Sequence, residues 1–251
     1  AGGEFRLSLV AGAEAISTIR EAARDGRTHV GAESPGGQIE DRGPGYGDFT
    51  EAFMQRHGIN NAPLAYGLIE TARRARLGQS RDDYALGMGR LFAPFAAVAH
   101  HNPRAAWSVP AYSAQELVRV GPANRWIATP YPLHLVARDQ VNLGAALFVA
   151  SIAMARELGV PEERWVYLHG HAHAVEKPLL ERADLGASPA ARRVAQAALM
   201  RAGVDVAQIG LFDLYSCFPV AVSNVASDAW GLAADDPRGL TVTGGLPFFG
   251  A

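Results

Sequence analysis

Short apolar runs that are typical of buried strands alternate with long helical patterns along this chain, and this alternation limits the folds it can adopt. The first run, FRLSLVAG at 5–12, is expected to lead into a helix over Glu14–Arg24. Runs at 164–174, 209–214 and 239–245 have the same strand character. Because strands that alternate with helices pack as sheets covered by helices, the sequence predicts a layered α/β protein.

Helix-start signals cluster in the middle of the chain. Pro63 is suited to the first turn of a helix that runs PLAYGLIETARRARLG. Ser80 with Asp83, and Ser113 with Glu116, have the spacing of capping boxes. This region is expected to be a helical excursion from the layered core.

Two further helices are predicted in the second half. The run LGAALFVASIAMARELG at 143–159 is apolar nearly all round, which is typical of a helix buried between layers. A second helix, SPAARRVAQAALMRAG, has Ser188 as its cap and Gly203 just after its end.

Composition excludes several classes of protein. The net charge of −2 and the pI near 6.5 give no indication of nucleic acid or an anionic membrane as the main partner. No apolar run approaches the roughly 20 residues that a membrane helix needs. One cysteine in 251 residues excludes an internal disulfide and fits a reducing cytoplasm. The chain opens on AGGEFRLSLVAG and closes on GGLPFFGA, so we expect both ends to be positions inside a larger fold.

The single cysteine, Cys217, lies in LFDLYSCFPVAV, between a strand pattern and a helix pattern. A thiol near the first turn of a helix faces unpaired backbone N–H groups, which lower its pKa and raise its reactivity. A buried cysteine can equally be a small apolar filler. The stretch by itself leaves both interpretations open.

Histidines and arginines form two other patterns. His169, His171 and His173 in HGHAHA would share one face of a strand, but no HExxH-like pattern accompanies them, so we expect a polar strand face and no metal site. Three arginines on one predicted helix could hold the phosphates of a nucleotide-like ligand or form a solvated face; they are Arg73, Arg74 and Arg76. Gly244 and Gly245 could let the backbone approach a ligand or could only turn the chain.

Taken in order, several segments resemble the thiolase superfamily, and the resemblance covers nearly the whole chain. LVAGAEAIST resembles the family's GG-x-E-x-M-S segment, and LAYGLIETARRARLGQSRDDYALGMGRLF resembles its loop-domain helices. IATPYPLHLVARDQVNLGAALFVASIAMARELGV is similar to the segment ending in DGAAA and its buried helix, with Asn142 in place of the usual aspartate. LFDLYSCFPVAV falls where sterol-carrier-type thiolases have HDCF, and TVTGGLPFFGA falls where the family has GG-x4-GHP. The sterol-carrier-type and thiolase-like acetyl-CoA acetyltransferases are the most similar group.

The resemblance implies mixed sheets around buried helices, with an inserted helical loop domain over an acyl-CoA site. It divides the chain into 1–30, part of the N-terminal core; 31–125, the loop domain; and 126–251, the end of that core and most of the C-terminal core. It also implies thiolytic cleavage or Claisen condensation of acyl-CoA, with coenzyme A as a substrate and no permanently bound cofactor. Arg73, Arg74, Arg76, Gly244 and Gly245 would contact the coenzyme A moiety.

Cys217 matches the HDCF cysteine, which the resemblance implies is an acid/base. Two positions depart from the family pattern. Tyr215 replaces the histidine or asparagine that orients an oxyanion-hole water, and Ala251 stands where the GHP histidine would be. The acylated cysteine would lie outside this sequence.

Three functions are compatible with this pattern. The first is an acyl-CoA acyltransferase with its nucleophile outside the sequence. The second is a non-catalytic thiolase-like protein that binds acyl-CoA or scaffolds a partner such as an OB-fold domain. The third is a thiolase-fold retro-aldolase that uses Tyr215, and for all three we expect a cytoplasmic homodimer.

Overall fold

The structure is a computed structural model that describes residues 6–27 and 52–250. The position of Ala251 lies outside these ranges. The described helices and strands, in chain order, are β1 (Leu7–Ala15), α1 (Ile16–Arg24), α2 (Ala52–Arg56), α3 (Ala62–Arg76), α4 (Arg81–His101), α5 (Ala114–Val118), β2 (Trp126–Ala128), β3 (Tyr131–Pro132), β4 (Asn142–Ala150), α6 (Ile152–Glu157), α7 (Pro189–Ala202) and α8 (Pro219–Trp230). In these ranges no helix is both long enough and apolar enough to cross a lipid bilayer.

The predicted helix starts in the middle of the chain are confirmed. The Ser80 side chain accepts a hydrogen bond from the Asp83 amide and begins α4. Ser113 and Glu116 form a complete capping box on α5. The α7 helix likewise begins after Ser188 and ends at Gly203, which has the left-handed conformation that favours glycine.

The core is organised around α4, whose buried face carries Phe92, Phe95 and Ala99. This face belongs to one cluster with Val220 and Val222 of α8. Leu135, Tyr131 and Phe248 complete the centre of that cluster, and each is at most 2% exposed. The core therefore joins the middle of the sequence to its C-terminal part, where Cys217 lies.

The predicted helix over 143–159 is wrong for its first half. Asn142–Ala150 is strand β4, which pairs antiparallel with β1 from Leu7 opposite Ala150 to Ala15 opposite Asn142. A helix begins only at Ile152, where Ser151 supplies the N-cap. A short, continuously apolar run has no period that distinguishes strand from helix, and here pairing with β1 determines the outcome.

Three of the predicted strands form no ladder in the structure. Arg164 ends a short 3-10 helix, residues 165–174 have no regular secondary structure, and the three histidines in that stretch are exposed. The segments 209–214 and 239–245 do meet, through a hydrogen bond from the Leu214 amide to the Leu240 carbonyl. The Asp213 carboxylate accepts hydrogen bonds from the Thr241 hydroxyl and the Val242 amide, and these side-chain contacts stand where ladder bonds were expected.

Candidate active site

Cys217 occupies the bend that immediately precedes α8. Its residue surface is 6% exposed, and its carbonyl accepts a hydrogen bond from the Ala137 amide at 3.1 Å. Pro219 at the first position of α8 removes a donor that would otherwise be unpaired there. The junction is therefore a fixed, buried connection and not a surface loop.

Two tyrosines surround the thiol. The hydroxyl groups of Tyr66 from α3 and Tyr215 from the preceding segment hydrogen bond to the Cys217 side chain. Burial raises the pKa of the Cys217 thiol, and the hydrogen bonds from these two phenols oppose the rise only in part. The thiol is consequently neutral at pH 7 and holds a proton that it can donate.

Tyr66 and Tyr215 differ in how they are held. The Tyr66 ring stacks on Phe218 with 4.4 Å between ring centroids, and burial raises its pKa far above the usual range. Tyr215 is 69% exposed, so its ring is open to solvent while its hydroxyl group reaches the thiol. The thiol thus has one fixed phenol on the core side and one accessible phenol on the solvent side.

Glu70 of α3, four residues after Tyr66, has a fully buried carboxyl group. It accepts hydrogen bonds from the Tyr131 hydroxyl at 2.7 Å, from the Val220 amide at 2.9 Å and from the Tyr84 hydroxyl. The Tyr131 hydroxyl also lies 3.1 Å from the Tyr66 carbonyl oxygen. Glu70 therefore links α3 and α4 to the first turn of α8, two to three residues after Cys217.

Burial raises the pKa of Glu70, although its hydrogen-bond donors and the Arg73 charge oppose the rise. Burial and the neighbouring Glu70 also raise the pKa values of Tyr84 and Tyr131 far above their usual range. These phenols therefore remain protonated and keep donating. Sequence reasoning missed Tyr66, Glu70 and Tyr131. A signal was present, because Tyr66 and Glu70 are four residues apart and so share one face of a helix.

The three predicted phosphate-binding arginines have different surroundings. Arg73 is 6% exposed, and its guanidinium group forms an ion pair with Asp228 of α8. Arg76 also contacts Asp228, at 3.3 Å, and donates to the Gly186 carbonyl. Arg74 donates to the Gln79 carbonyl and has no carboxylate partner among the described residues. Their contact with coenzyme A remains a prediction.

Gly244 and Gly245 form a turn that packs beside the junction. Their φ angles are +109° and +72°, and a Cβ atom on Gly245 would lie 2.6 Å from the Ser216 hydroxyl oxygen. Their amides donate to Thr241 and Thr243 side chains. The turn is thus next to Cys217, while its contact with a ligand stays a prediction.

The described ranges contain no group of three or more histidine, cysteine, aspartate or glutamate residues that could hold a metal ion. Cys217 is the candidate reactive group that the geometry supports best, with Tyr66 and Tyr215 as its partners.

No family model and no curated protein matches the sequence. Among solved structures, the fold matches that of a monomeric SCP2-thiolase like protein type 1 from Mycobacterium smegmatis, with a TM-score of 0.82 and 46% sequence identity. The match covers 100% of this chain and 47% of that one. The chain belongs to the thiolase superfamily. It spans about half the length of this SCP2-type relative, and the predicted α/β thiolase-like fold is confirmed.

Two more distant solved structures share the thiolase-superfamily fold. The Ltp2-ChsH2(DUF35) aldolase has 17% identity and a TM-score of 0.66, over 97% of this chain and 60% of that chain. The dimeric peroxisomal thiolase of Saccharomyces cerevisiae has 15% identity and a TM-score of 0.58, over 98% and 60%. At these identities the likeness concerns the fold alone.

Proposed function

We propose that this chain is part of an acyl-CoA acyltransferase of the thiolase type, in which Cys217 transfers the proton. The observation that supports this most directly is the buried position of the Cys217 thiol beside the phenols of Tyr66 and Tyr215, just before α8. The nucleophilic cysteine would come from a part of the polypeptide other than these 251 residues. The acyl-CoA substrate contributes its own coenzyme A, so no resident cofactor is required.

In the cleavage direction the nucleophilic thiolate adds to the ketone carbon of a 3-ketoacyl-CoA. The carbon–carbon bond then breaks, and the electron pair passes to the departing acetyl-CoA enolate. Cys217 donates its thiol proton to that carbanion, which gives acetyl-CoA and leaves a Cys217 thiolate. Free coenzyme A next attacks the acyl-enzyme and gives its thiol proton to Cys217. This restores both cysteines and releases the shortened acyl-CoA.

Burial of Cys217 suits this role. An acid that must donate to a carbanion has to be protonated when the substrate binds, and desolvation holds the thiol in that state. The hydrogen bonds from Tyr66 and Tyr215 then stabilise the thiolate that forms.

The test is the Cys217→Ala variant of the full-length protein, assayed for thiolysis of a 3-ketoacyl-CoA. We expect kcat to fall by about 10²- to 10⁴-fold, the usual contribution of general acid–base catalysis. The matched control is Ser223→Ala, a partly buried position on α8 that should keep full turnover. Unchanged turnover in Cys217→Ala, with the thermal midpoint preserved, would exclude the proton-transfer role.

A retro-aldolase is the second candidate, and the exposed Tyr215 favours it. A phenol beside a thiol can donate a proton to, or accept one from, a hydroxyacyl-CoA, and one structure with this fold is described as an aldolase. Tyr215→Phe removes only the hydroxyl group. Loss of aldol cleavage in Tyr215→Phe, with Cys217→Ala still active, would favour this reaction over acyl transfer.

The third candidate is a non-catalytic protein that binds acyl-CoA or scaffolds an OB-fold partner. Tight acyl-CoA binding without turnover of either substrate class would favour it.

We also propose that the protein is a homodimer in the cytoplasm. Sedimentation tests the oligomeric state, for which the relatives differ: the M. smegmatis protein is described as monomeric and the yeast thiolase as dimeric.

A further inference from the structure

Two basic side chains that follow β3 each carry a buried nitrogen atom without a hydrogen-bond partner. His134 is 8% exposed, yet its Nδ1 atom is buried and has no hydrogen-bond partner. The Nε atom of Arg138 is also buried and unpartnered. No described carboxylate forms an ion pair with Arg138, and the adjacent Asp139 points to Arg20 instead, at 3.5 Å.

Aromatic rings hold both groups in place. The Tyr112 ring stacks on His134 with 4.5 Å between ring centroids. The Arg138 guanidinium lies over the Trp107 ring, 5.2 Å from its centroid. The Tyr112 hydroxyl makes no hydrogen bond to the described residues; burial lowers the pKa of Arg138, and Tyr112 opposes that change. Two buried nitrogen atoms, His134 Nδ1 and Arg138 Nε, therefore lack a partner here.

The electrostatics of the cluster are those of a site that lacks an anion. Burial lowers the pKa of His134, and the nearby Arg138 charge lowers it further. Burial also lowers the pKa of Arg138. A partly buried guanidinium without an anion is costly, because burial removes water and nothing replaces it.

We propose that Arg138, His134 and Tyr112 form a binding site for an oxyanion, the carboxylate or phosphate group of a small ligand. The planar guanidinium offers parallel N–H donors that match the two oxygens of such a group. Arg138 is only half-buried, so an anion can approach the free edge of its guanidinium from solvent. A cation is excluded as the ligand by the charge of Arg138.

The site is tied to the Cys217 junction through the backbone. The Ala137 amide donates to the Cys217 carbonyl, and the Arg138 amide donates to the Leu246 carbonyl at 3.1 Å. An anionic ligand held here would thus be fixed relative to the thiol. The proposal does not depend on acyl-CoA chemistry, because anion binding can be measured without turnover.

The experiment titrates the full-length protein with sodium phosphate and, separately, with sodium acetate at constant ionic strength. The NMR signals of the Arg138 Nε–H group and the His134 ring report binding. We expect saturable shifts with at least one of the two anions, and at least about tenfold weaker binding in Arg138→Met, since a charge-assisted contact accounts for about 1.4 kcal/mol or more. Saturation by phosphate alone identifies a phosphate ester as the ligand class, and saturation by acetate identifies a carboxylate.

The matched control is Arg90→Met, which removes an exposed arginine from α4 and should leave binding unchanged. Tyr112→Phe keeps the ring stacked on His134 and removes one donor, so it should weaken anion binding severalfold. This variant provides a second test in case Arg138→Met does not fold. The proposal is overturned if neither anion produces saturable shifts. It is also overturned if Tyr112→Phe and Arg138→Met both bind the anion with the affinity of the wild type.

Discussion

Glu70 is a carboxyl group with no exposed surface, and its three donors come from α4, from Tyr131 and from the backbone of α8. Its pKa is raised above the unfolded value of about 4.3. A raised folded pKa means that the stability contributed by the protonated group is complete below the unfolded pKa. That contribution is lost as the pH rises towards the folded pKa.

Glu70→Gln removes this titration while keeping the shape of the side chain. We expect the stability of the wild type, relative to Glu70→Gln, to be greatest near pH 4 and to fall as the pH rises towards neutrality. Urea unfolding across this pH range measures the difference. A difference that is constant with pH, or that grows as the pH rises, would mean that Glu70 is ionised in the folded protein.

Glu70→Ala leaves the Tyr84 hydroxyl and the Val220 amide without an acceptor, while the Tyr131 hydroxyl keeps the Tyr66 carbonyl oxygen. Each buried donor left unpaired costs about 1–3 kcal/mol, so this variant should lose at least about 2 kcal/mol. Comparing the stability of Glu70→Ala with that of Glu70→Gln separates the loss of the hydrogen bonds from the loss of the charge.

The sequence identified Cys217 and Tyr215 because both lie within one recognisable segment. It did not identify Glu70, since an acidic residue in a helix is usually exposed, and its burial depends on donors 14, 61 and 150 positions away along the chain. Local pattern carries no information about such distant partners. The unpaired state of Arg138 is hidden for the same reason.

At the scale of the element, the turn at Gly244 illustrates how one backbone conformation positions a segment against a helix. Its φ angle is +109°, and a Cβ atom there would lie 2.4 Å from the Cβ and 2.7 Å from the Cα of Ala99 in α4. Gly231, after α8, has a φ angle of +69° and open space around it. The two positions therefore share a positive φ and differ in crowding.

Gly244→Ala should accordingly be much more destabilising than Gly231→Ala. The left-handed conformation alone costs an alanine about 1–2 kcal/mol, and the clash with backbone of α4 should bring Gly244→Ala to at least about 3 kcal/mol. Chemical denaturation of both variants gives the two values. Equal losses would indicate that α4 moves away without cost.

Elements with a long helical period or a cap were predicted well, because their signals are local: α4 and α7 begin at their predicted caps. The apolar run at 143–159 was not, because its conformation is decided by pairing with β1, more than a hundred residues earlier. The predicted strands at 209–214 and 239–245 form no ladder, although the Asp213 carboxylate joins the two segments through Thr241 and Val242.

At the scale of the whole molecule, Asp228 connects the arginines of α3 to α8. Although burial disfavours its charge, the hydrogen bonds and charge of Arg73 hold its pKa below the usual value. A depressed folded pKa contributes stability above the unfolded value of about 3.9, and this is lost as the pH falls through the folded pKa.

Asp228→Asn should therefore destabilise the protein by about 2–3 kcal/mol at pH 7, because the Arg73 guanidinium stays buried without its anion. The loss should shrink towards pH 3. Asp235→Asn, at an exposed position, serves as the control and should stay within about 0.5 kcal/mol. Equal losses at pH 7 and pH 3 would argue against the ion pair as the cause.

The β1–β4 ribbon presents apolar side chains on its surface, among them Leu9 at 62% and Phe148 at 68% exposed. Its outer backbone edges have no strand partner among the described residues. Both properties favour self-association in water, because copies can bury the apolar surface against one another and can pair strands at the open edges. A purified sample of these 251 residues should therefore be colloidally unstable. Its light scattering should grow with concentration, and a mild non-ionic detergent should suppress that growth.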